Sequence, residues 1–155
     1  MAKSTPLLRS CYKELFNLVK LAEPYKGYEA YDQFCHSMDS RRGFTYWKDG
    51  VLVGSIQFDN FYPGNSVMIH AVFHPLHRNE MNRKALREVF RFAFDTLKVH
   101  RVNTFSVIGV TDDVVKFILG IGFQEEGILR EAAELPSGRY DLVLYSMLRE
   151  DCKWL

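Results

Sequence analysis

The chain has 155 residues, of which 47% are hydrophobic and 25% are charged, so it can form one globular core but not a second full domain. The 20 Lys and Arg residues against 19 Asp and Glu residues exclude a strong global field that would draw the protein to nucleic acid or to an anionic membrane. Its 3 cysteines are odd in number and far apart, and no apolar run is long enough to span a bilayer. We therefore expect a reduced, cytoplasmic setting, no membrane segment and no metal site.

The N-terminal part, residues 1–42, has the periodicity of two helices. From Leu7 to Leu21 the apolar residues recur every three or four positions, the spacing of a helix with one buried face, and Pro24 ends the pattern. A second, shorter helix is predicted by five residues that share one face: Tyr28, Tyr31, Phe34, Cys35 and Met38.

The following segment, GFTYWKDGVLVGSIQFDNFYPGNSVMIHAVFH, predicts three strands. Asp49-Gly50 and Pro63-Gly64 are hairpin signals between apolar runs, so the strands form an antiparallel meander. A long helix then runs from near Met81 to Leu97. The arginines that recur four apart on this helix, Arg83, Arg87 and Arg91, are interpreted as a solvated face.

The last third of the chain predicts a strand (RVNTFSVIG), a short helix (TDDVVKFILGIGF) and a hairpin whose strands are FQEEGILREAAEL and GRYDLVLYSML. The order ααβββαβαββ defines a single domain over residues 1–155 of the α+β or mixed α/β class. The unit from Val67 to Val107 predicts two parallel strands with the long helix packed across them.

The C-terminal segment FILGIGFQEEGILREAAELPSGRYDLVLYSMLRED resembles the ending of the GCN5-related N-acetyltransferase (GNAT) superfamily, closest to the branch that acetylates ribosomal-protein N-termini and polyamines. The matching positions are Gly122, Phe123, Glu126, Gly127, Leu129, Arg130, Gly138, Asp141, Tyr145 and Leu148. The resemblance covers residues 43–150, the sheet and coenzyme-cleft part. It implies a mixed, mostly antiparallel sheet of six or seven strands flanked by about four helices. For the leading strand of that sheet, only KSTPLL is a candidate.

The resemblance implies that acetyl-CoA binds in a gap between the fourth and fifth strands. Backbone amides near Val72 and Phe73 would pair with the pantetheine arm, and the pyrophosphate would lie on the N-terminus of the long helix. The family has glycines in the turn before this helix, whereas the register here gives His77, Glu80 and Asn82.

This departure predicts a degenerate coenzyme loop. A non-glycine residue held at positive φ costs about 1 to 2 kcal/mol, with Asn the least penalised, and Glu80 adds a negative charge beside the phosphates. Arg78, Arg83 and Lys84 offset these costs by charge-assisted bonds, so they are assigned to the coenzyme together with Asn82.

Two further positions depart from the family. Its Asn at the start of the short helix falls on Thr111, and its thiolate-protonating Tyr falls on Ile118, which cannot transfer a proton. Thr111 either donates a hydrogen bond to the coenzyme or caps the helix ahead of Asp112 and Asp113.

Two residues are candidates for proton transfer. His70, on the fourth strand, is the candidate base that deprotonates the amine, with a hydrogen-bonded strand histidine as the alternative. Tyr145, on the last strand, is the candidate acid, with a packed aromatic residue as the alternative. Asp141 either orients a basic substrate or pairs with Arg130 or Arg139.

Two functions fit these residues. The first is an acetyl-CoA-dependent N-acetyltransferase acting directly on a primary amine, either a protein N-terminus or a polyamine. The second is an inactive protein of the same fold that has lost coenzyme binding and acts as an interaction or assembly subunit, with a protein partner or as a homo-oligomer. A nucleic-acid partner fits less well, because the arginine row has no interleaved aromatic residues.

Overall fold

The computed structural model describes residues 5–6, 9–24 and 30–155, so the predicted positions Leu7 and Tyr28 lie outside the described residues. Seven strands form one sheet in the order β1-β2-β3-β4-β5-β7-β6. The strands are β1 Thr5–Pro6, β2 Arg42–Lys48, β3 Val51–Tyr62, β4 Ser66–Phe73, β5 Arg101–Val107, β6 Gln124–Leu135 and β7 Gly138–Leu148. The α-helices are α1 Tyr12–Ala22, α2 Tyr31–Met38, α3 Arg83–Arg91 and α4 Val115–Ile121. All strand pairs are antiparallel except β4 with β5, which confirms the predicted mixed α+β class.

The two N-terminal helices cover one face of the sheet. Their buried side chains pack with Leu52 of β3 and Val72 of β4 in a smaller core, whose helical members are Tyr12, Leu15, Leu18, Val19, Phe34 and Met38. Both predicted helices are confirmed by these elements. The segment KSTPLL also supplies the leading strand, because Thr5 and Pro6 pair with Gly43 and Arg42.

The predicted meander of β2, β3 and β4 is confirmed. Asp49 and Gly50 both have positive φ, at 51° and 78°, the combination that a two-residue turn of type I′ requires. Gly64 has φ 71° in the second connection. This second connection joins β3 to β4, whose register places Gln57 opposite His70.

The predicted long helix is present, with a change of geometry near its end. Asn82 is the N-cap of α3, and after Arg91 the chain continues as a π-helical turn, Phe92–Thr96. The side chains of Ala85, Leu86, Val89 and Phe90 are buried in the larger core, on the opposite face of the sheet from α1 and α2. The arginine row (Arg83, Arg87 and Arg91) is exposed, as predicted for a solvated face.

The predicted parallel pair is formed by β4 and β5, but over a short length. Only Ser66, Val67 and Met68 pair with β5, whereas β4 continues to Phe73 and β5 to Val107. Beyond these pairs, the Thr104 hydroxyl donates a hydrogen bond to the Ile69 carbonyl at 3.2 Å. The two strands therefore separate toward their C-terminal ends and leave a split in the sheet.

The C-terminal hairpin of β6 and β7 follows the predicted pattern. Gly122, in the left-handed conformation with φ 112°, ends α4. Glu131 also has positive φ, at 51°, within a bulge of β6, and its backbone N–H donates to the Asp141 carboxylate at 2.8 Å. Among the described residues Asp141 forms no ion pair with Arg130 or Arg139, so the expected pairing is wrong; the carboxylate is used to hold the bulge.

Candidate active site at the split between β4 and β5

The backbone of β4 presents hydrogen-bonding groups to the split. The His74 N–H donates to the Val53 carbonyl of β3 at 2.8 Å, whereas the Ile69 carbonyl points the other way, to Thr104 of β5. Because backbone groups alternate between the two edges of a strand, Ala71 and Phe73 face the split and Val72 faces β3. The backbone of Phe73 therefore faces the split as expected, whereas that of Val72 does not; the backbone of Ala71, which was not predicted from the sequence, also faces the split.

The turn between β4 and α3 differs from the predicted one. Its residues Pro75–Glu80 form a 3-10 segment, and no residue from 74 to 84 has positive φ. Asn82 has φ −86°, so the expected strain at this position is wrong. Its Oδ1 accepts a hydrogen bond from the Ala85 N–H at 3.0 Å, which makes Asn82 a helix cap.

Because α3 begins after the turn that leaves the C-terminal end of β4, its N-terminus lies at the end of the sheet where β4 and β5 are unpaired. The first N–H groups of a helix have no partner within it, so those of Arg83 and Lys84 point out of the helix end, where the dipole favours an anion. Both side chains are exposed. The expected degeneracy of the loop finds no support in this geometry, because a helix end with unpartnered N–H groups is formed without the glycines.

An ion pair spans the mouth of the split. Arg78, in the turn after β4, places Nη1 2.7 Å from Oδ2 of Asp113, in the turn after β5. Both side chains are about half exposed, at 53% and 56%. Exposed pairs of this kind contribute about 0 to 1 kcal/mol, so a phosphate can compete with Asp113 for Arg78 at small cost.

Thr111 forms hydrogen bonds within the turn after β5. Its Oγ1 accepts a hydrogen bond from the Val107 N–H at 2.7 Å and forms no cap bond to the following helix. The capping expectation is therefore wrong, because the hydroxyl closes the turn after β5 instead. Ile118, the position of the missing Tyr, is buried in the larger core.

His70 lies beside the split on the face covered by α1 and α2. Its ring centroid is 5.4 Å from that of Phe105 on β5 in an edge arrangement, and its Nε2 is 3.8 Å from the Asp59 carboxylate of β3. Arg41 holds both neighbouring side chains of β3, with Nη2 3.2 Å from Asp59 and Nη1 2.8 Å from Gln57 Oε1.

A small cavity of about 60 Å³ adjoins this group. Its lining consists of Val19, Glu23, Phe34, Met38, Arg41, Gln57, His70, Ala71 and Val72. The cavity joins the backbone that faces the split to the candidate base, so an amine held there would lie beside His70.

Arg41, Gln57 and Asp59 were not predicted from the sequence. A signal was present in the segment SIQFDN, where Ser55, Gln57 and Asp59 alternate with apolar residues on an internal strand. Gln57 is only 4% exposed, and a buried polar side chain in such a position requires partners.

Tyr145 lies on the other face of the sheet. It is 1% exposed within the larger core, and its hydroxyl shares a hydrogen bond of 3.0 Å with Ser106 of β5. The structure therefore does not bring Tyr145 and His70 together. A proton from Tyr145 would have to pass through the Ser106 hydroxyl to reach the split.

A second polar cluster lies on the same face as His70, near the paired end of β5. Arg101 Nη2 lies 2.6 Å from Glu126 Oε2, and its Nε donates to Asn103 at 2.8 Å. Ser146 donates to the other Glu126 oxygen. The Ser146 bond first, and then the Arg101 bond, hold the pKa of Glu126 below its usual range, so this carboxyl stays ionised.

Neither a metal cluster nor a membrane span is found in the part of the chain that the structure describes. The rings of His74 and His77 lie in an edge arrangement with centroids 5.3 Å apart, but no group of three or more His, Cys, Asp or Glu side chains there could hold a metal ion. No helix within the described ranges is long and apolar enough to cross a membrane.

No protein-family model and no curated protein matches the chain. Solved structures do match. A variant of the spermidine N-acetyltransferase SpeG from Vibrio cholerae is 20% identical with TM-score 0.79, covering 100% of this chain and 97% of that one. A chimera of that enzyme with hSSAT is 19% identical with TM-score 0.77, covering 97% of each chain. A GNAT-family acetyltransferase from Bacillus anthracis is 16% identical with TM-score 0.74, covering 97% of this chain and 98% of that one.

These similarities and the split between β4 and β5 establish that the chain has the GNAT fold. The fold predicted from the C-terminal residues is thereby confirmed. At these identities the similarity carries the fold alone.

Proposed function

We propose that the protein is an acetyl-CoA-dependent N-acetyltransferase that transfers the acetyl group directly to a primary amine. The observation that carries this proposal is the split itself: β4 and β5 separate after Met68, and the N-terminus of α3 lies at the mouth of the opening. In a protein that no longer binds a ligand, unpaired strand edges in the middle of a sheet would serve no purpose. They would also be costly, because their backbone N–H and C=O groups would lack partners.

The residues around the split fit the parts of acetyl-CoA. The backbone groups of Ala71 and Phe73 would pair with the pantetheine amides, as an added strand would. The N–H groups of Arg83 and Lys84 would bind the pyrophosphate, and Arg78 would exchange Asp113 for a phosphate. Asn82 would act through the helix cap and not by direct contact.

The thioester of the coenzyme supplies an activated acetyl group, and the chain supplies the proton transfers. His70 would accept the proton of the amine, because it lies beside the split and next to the cavity. Tyr145 would protonate the leaving thiolate through Ser106, whereas Thr111 would shape the end of β5.

The acceptor class that we propose is a small polyamine, with a protein N-terminus as the other candidate. The support is the similarity of fold to spermidine N-acetyltransferase SpeG and the two carboxyl groups, Asp59 and Glu126, on the acceptor face. A cationic amine would be attracted to these groups. Incubation with acetyl-CoA and either spermidine or a peptide with a free N-terminus, followed by mass spectrometry, distinguishes the two acceptors.

The inactive alternative, an interaction or assembly subunit, is not favoured, because no observation in the described residues supports loss of the coenzyme site. A homo-oligomer or a protein partner stays a prediction. Sedimentation of the protein with and without acetyl-CoA would test it.

Calorimetry with acetyl-CoA tests the coenzyme assignment. We expect binding, and at 100 times the dissociation constant a stabilisation of about 2.7 kcal/mol in thermal unfolding. The double variant Arg78→Ala, Arg83→Ala should weaken binding by about tenfold or more, since each charge-assisted bond contributes about 1.5 to 3 kcal/mol.

Arg87→Ala is the matched control, because Arg87 is exposed on the same helix but lies one turn beyond its N-terminus. Absence of binding at millimolar acetyl-CoA would contradict the proposal. Equal affinity of the double variant and the control would place the pyrophosphate elsewhere.

A further inference from the structure

We infer that Gly54 of β3 is a positioning residue: it leaves room for the ring of Phe73 to lie across β3, so that the ring stays out of the split. This inference rests on the proposed function, because it explains how the edge of β4 is kept open for acetyl-CoA. It is carried by a row of three opposed residues, Tyr46 on β2, Gly54 on β3 and Phe73 on β4.

The middle position of this row has no room for a side chain. A methyl group on Gly54 would lie 2.4 Å from two ring carbons of Phe73, Cδ1 and Cε1. Carbon atoms that are not bonded to each other pack at about 3.5 to 4.0 Å, so the methyl group and the ring could not both be accommodated. Gly54 does not have a positive φ, so alanine could adopt its backbone conformation. The glycine is therefore needed for space and not for conformation.

The rings of Tyr46 and Phe73 meet above this glycine. Directly opposed residues project their side chains to the same face of a sheet, and both rings pack against the larger core, on the face of α3. The backbones of β2 and β4 are two strand spacings, about 10 Å, apart. The ring centroids are nevertheless 5.4 Å apart, with an interplanar angle of 36°. The two aromatic side chains therefore close over the position that has no side chain.

The pairing with β3 also determines where the backbone of Phe73 points. The His74 N–H donates to the Val53 carbonyl at 2.8 Å. This bond lies just beyond the pair of Gly54 and Phe73, which is therefore of the non-hydrogen-bonded kind. In such a pair the Cα atoms are about 4.5 Å apart, and the N–H and C=O groups of each residue point away from the other. One pairing thus brings Gly54 beneath the ring and turns the backbone of Phe73 to the split.

An alanine at position 54 would displace the ring of Phe73 toward the split. Gly54 and the ring of Tyr46 bound the Phe73 ring on its β3 side, and the larger core bounds it on the face of α3. On the other side β5 pairs with β4 only as far as Met68, so that side is open. A ring displaced there would occupy the space of the pantetheine arm and obstruct its hydrogen bonds with the backbone.

The test compares Gly54→Ala with wild type by calorimetry with acetyl-CoA and by NMR without coenzyme. We expect the dissociation constant to rise by about tenfold, the size of effect expected for losing one backbone hydrogen bond. The nuclear Overhauser contact between the rings of Tyr46 and Phe73 should also be lost. Gly127→Ala on β6 is the matched control and should leave both readouts unchanged, because beyond its chain neighbours no described residue lies within 4 Å of a methyl group there.

A second pair of variants shows whether Gly54 acts through the ring. The double variant Gly54→Ala, Phe73→Ala has no ring to displace, so it should fold and bind acetyl-CoA with the affinity of Phe73→Ala. If Gly54 served only the packing of β3, its replacement would weaken folding or binding equally with and without the ring. This comparison also decides the matter if Gly54→Ala itself does not fold.

Three results would overturn the inference: a retained ring contact in Gly54→Ala, an unchanged affinity in that variant, or a double variant that fails to fold or binds less tightly than Phe73→Ala. The NMR contact needs no coenzyme, so two failures can be distinguished. Loss of the ring contact in Gly54→Ala, together with a wild-type protein that does not bind acetyl-CoA, contradicts the proposed function alone. Equal binding by wild type and Gly54→Ala contradicts the positioning role alone.

Discussion

The sheet face under α3 and α4 differs from the face under α1 and α2 in what its strands bury. Under α3 the strands contribute Ile56, Phe58, Val67, Ile69 and Val102 to a continuous apolar core. Under α1 and α2, the same strands β3 and β4 place Ser55, Gln57, Asp59 and His70 between apolar residues.

This difference separates the two parts of the proposed reaction. The coenzyme would be held by backbone groups, by a helix end and by the exposed side chains of Arg78 and Arg83. The acceptor would be held and deprotonated by side chains of the other face, whose identity matters. Substitutions on the two faces should therefore have separable effects, and the following predictions test that separation.

The largest effect is expected for His70→Gln. Removing a general base should lower kcat by about 10²- to 10⁴-fold, whereas acetyl-CoA affinity should stay within twofold, because the coenzyme is bound by other groups. Steady-state kinetics and calorimetry on the same preparation measure the two quantities. Undiminished transfer would remove His70 as the base, and a parallel loss of affinity would show that the two faces are not independent.

Tyr145→Phe tests the one candidate that lies on the opposite face. The variant leaves the buried Ser106 hydroxyl without its partner and should lower the free energy of unfolding by about 1 to 3 kcal/mol in urea titrations. Because Tyr145 is the proposed acid of the reaction, kcat should also fall in this variant and in Ser106→Ala. Tyr140→Phe is the control, because its hydroxyl pairs with Ser137 at the surface. A loss of stability with unchanged kcat would show that Tyr145 has a structural role and is not the acid.

Asp113→Asn should strengthen acetyl-CoA binding by a few-fold. The change removes the competitor for Arg78. An exposed ion pair of this kind contributes up to about 1 kcal/mol, which would no longer be lost when Arg78 binds a phosphate. The gain should disappear when Arg78 is also replaced by Ala, and calorimetry on the two variants measures this dependence. A weaker affinity in Asp113→Asn would mean that Asp113 supports the bound state.

The smallest effect is expected for Glu126→Gln and concerns stability at acidic pH. The pKa of Glu126 is held below its usual value of 4.5, so its contribution to stability is present above that value and is lost as the pH falls through the lowered folded-state pKa. The variant should therefore lose less stability than wild type between neutral pH and strongly acidic pH. Thermal unfolding from pH 7 to pH 3 measures the slope, and the exposed neighbour Glu125→Gln should follow wild type.

Features of short range could be predicted from the sequence. The hairpin at Asp49-Gly50, the amphipathic helix carrying Arg83, Arg87 and Arg91, and the end of α4 at Gly122 each depend on residues close together in the chain. The order of these elements, together with the C-terminal motif, was sufficient to predict the GNAT fold.

Features that depend on residues far apart in the chain could not be predicted from the sequence. Arg41, Asp59 and His70 meet because β3 and β4 have one particular register, and no spacing in the chain states it. The conformation of the turn before α3 was mispredicted for a related reason. Glycines are one way to make backbone N–H groups accessible to a phosphate. Here Asn82, with an ordinary φ, caps the helix and leaves its first N–H groups exposed.

The short pairing of β4 with β5 has a mechanical consequence. Three residue pairs and the Thr104 hydroxyl join two half-sheets, one of β1 to β4 and the other of β5 to β7. Among the pairings of β2 to β7, this seam has the fewest residue pairs, and it coincides with the candidate catalytic centre. A ligand lying in the split would act as a missing strand, so filling the site and stiffening the molecule would be a single event, visible as slower amide hydrogen exchange along both edges.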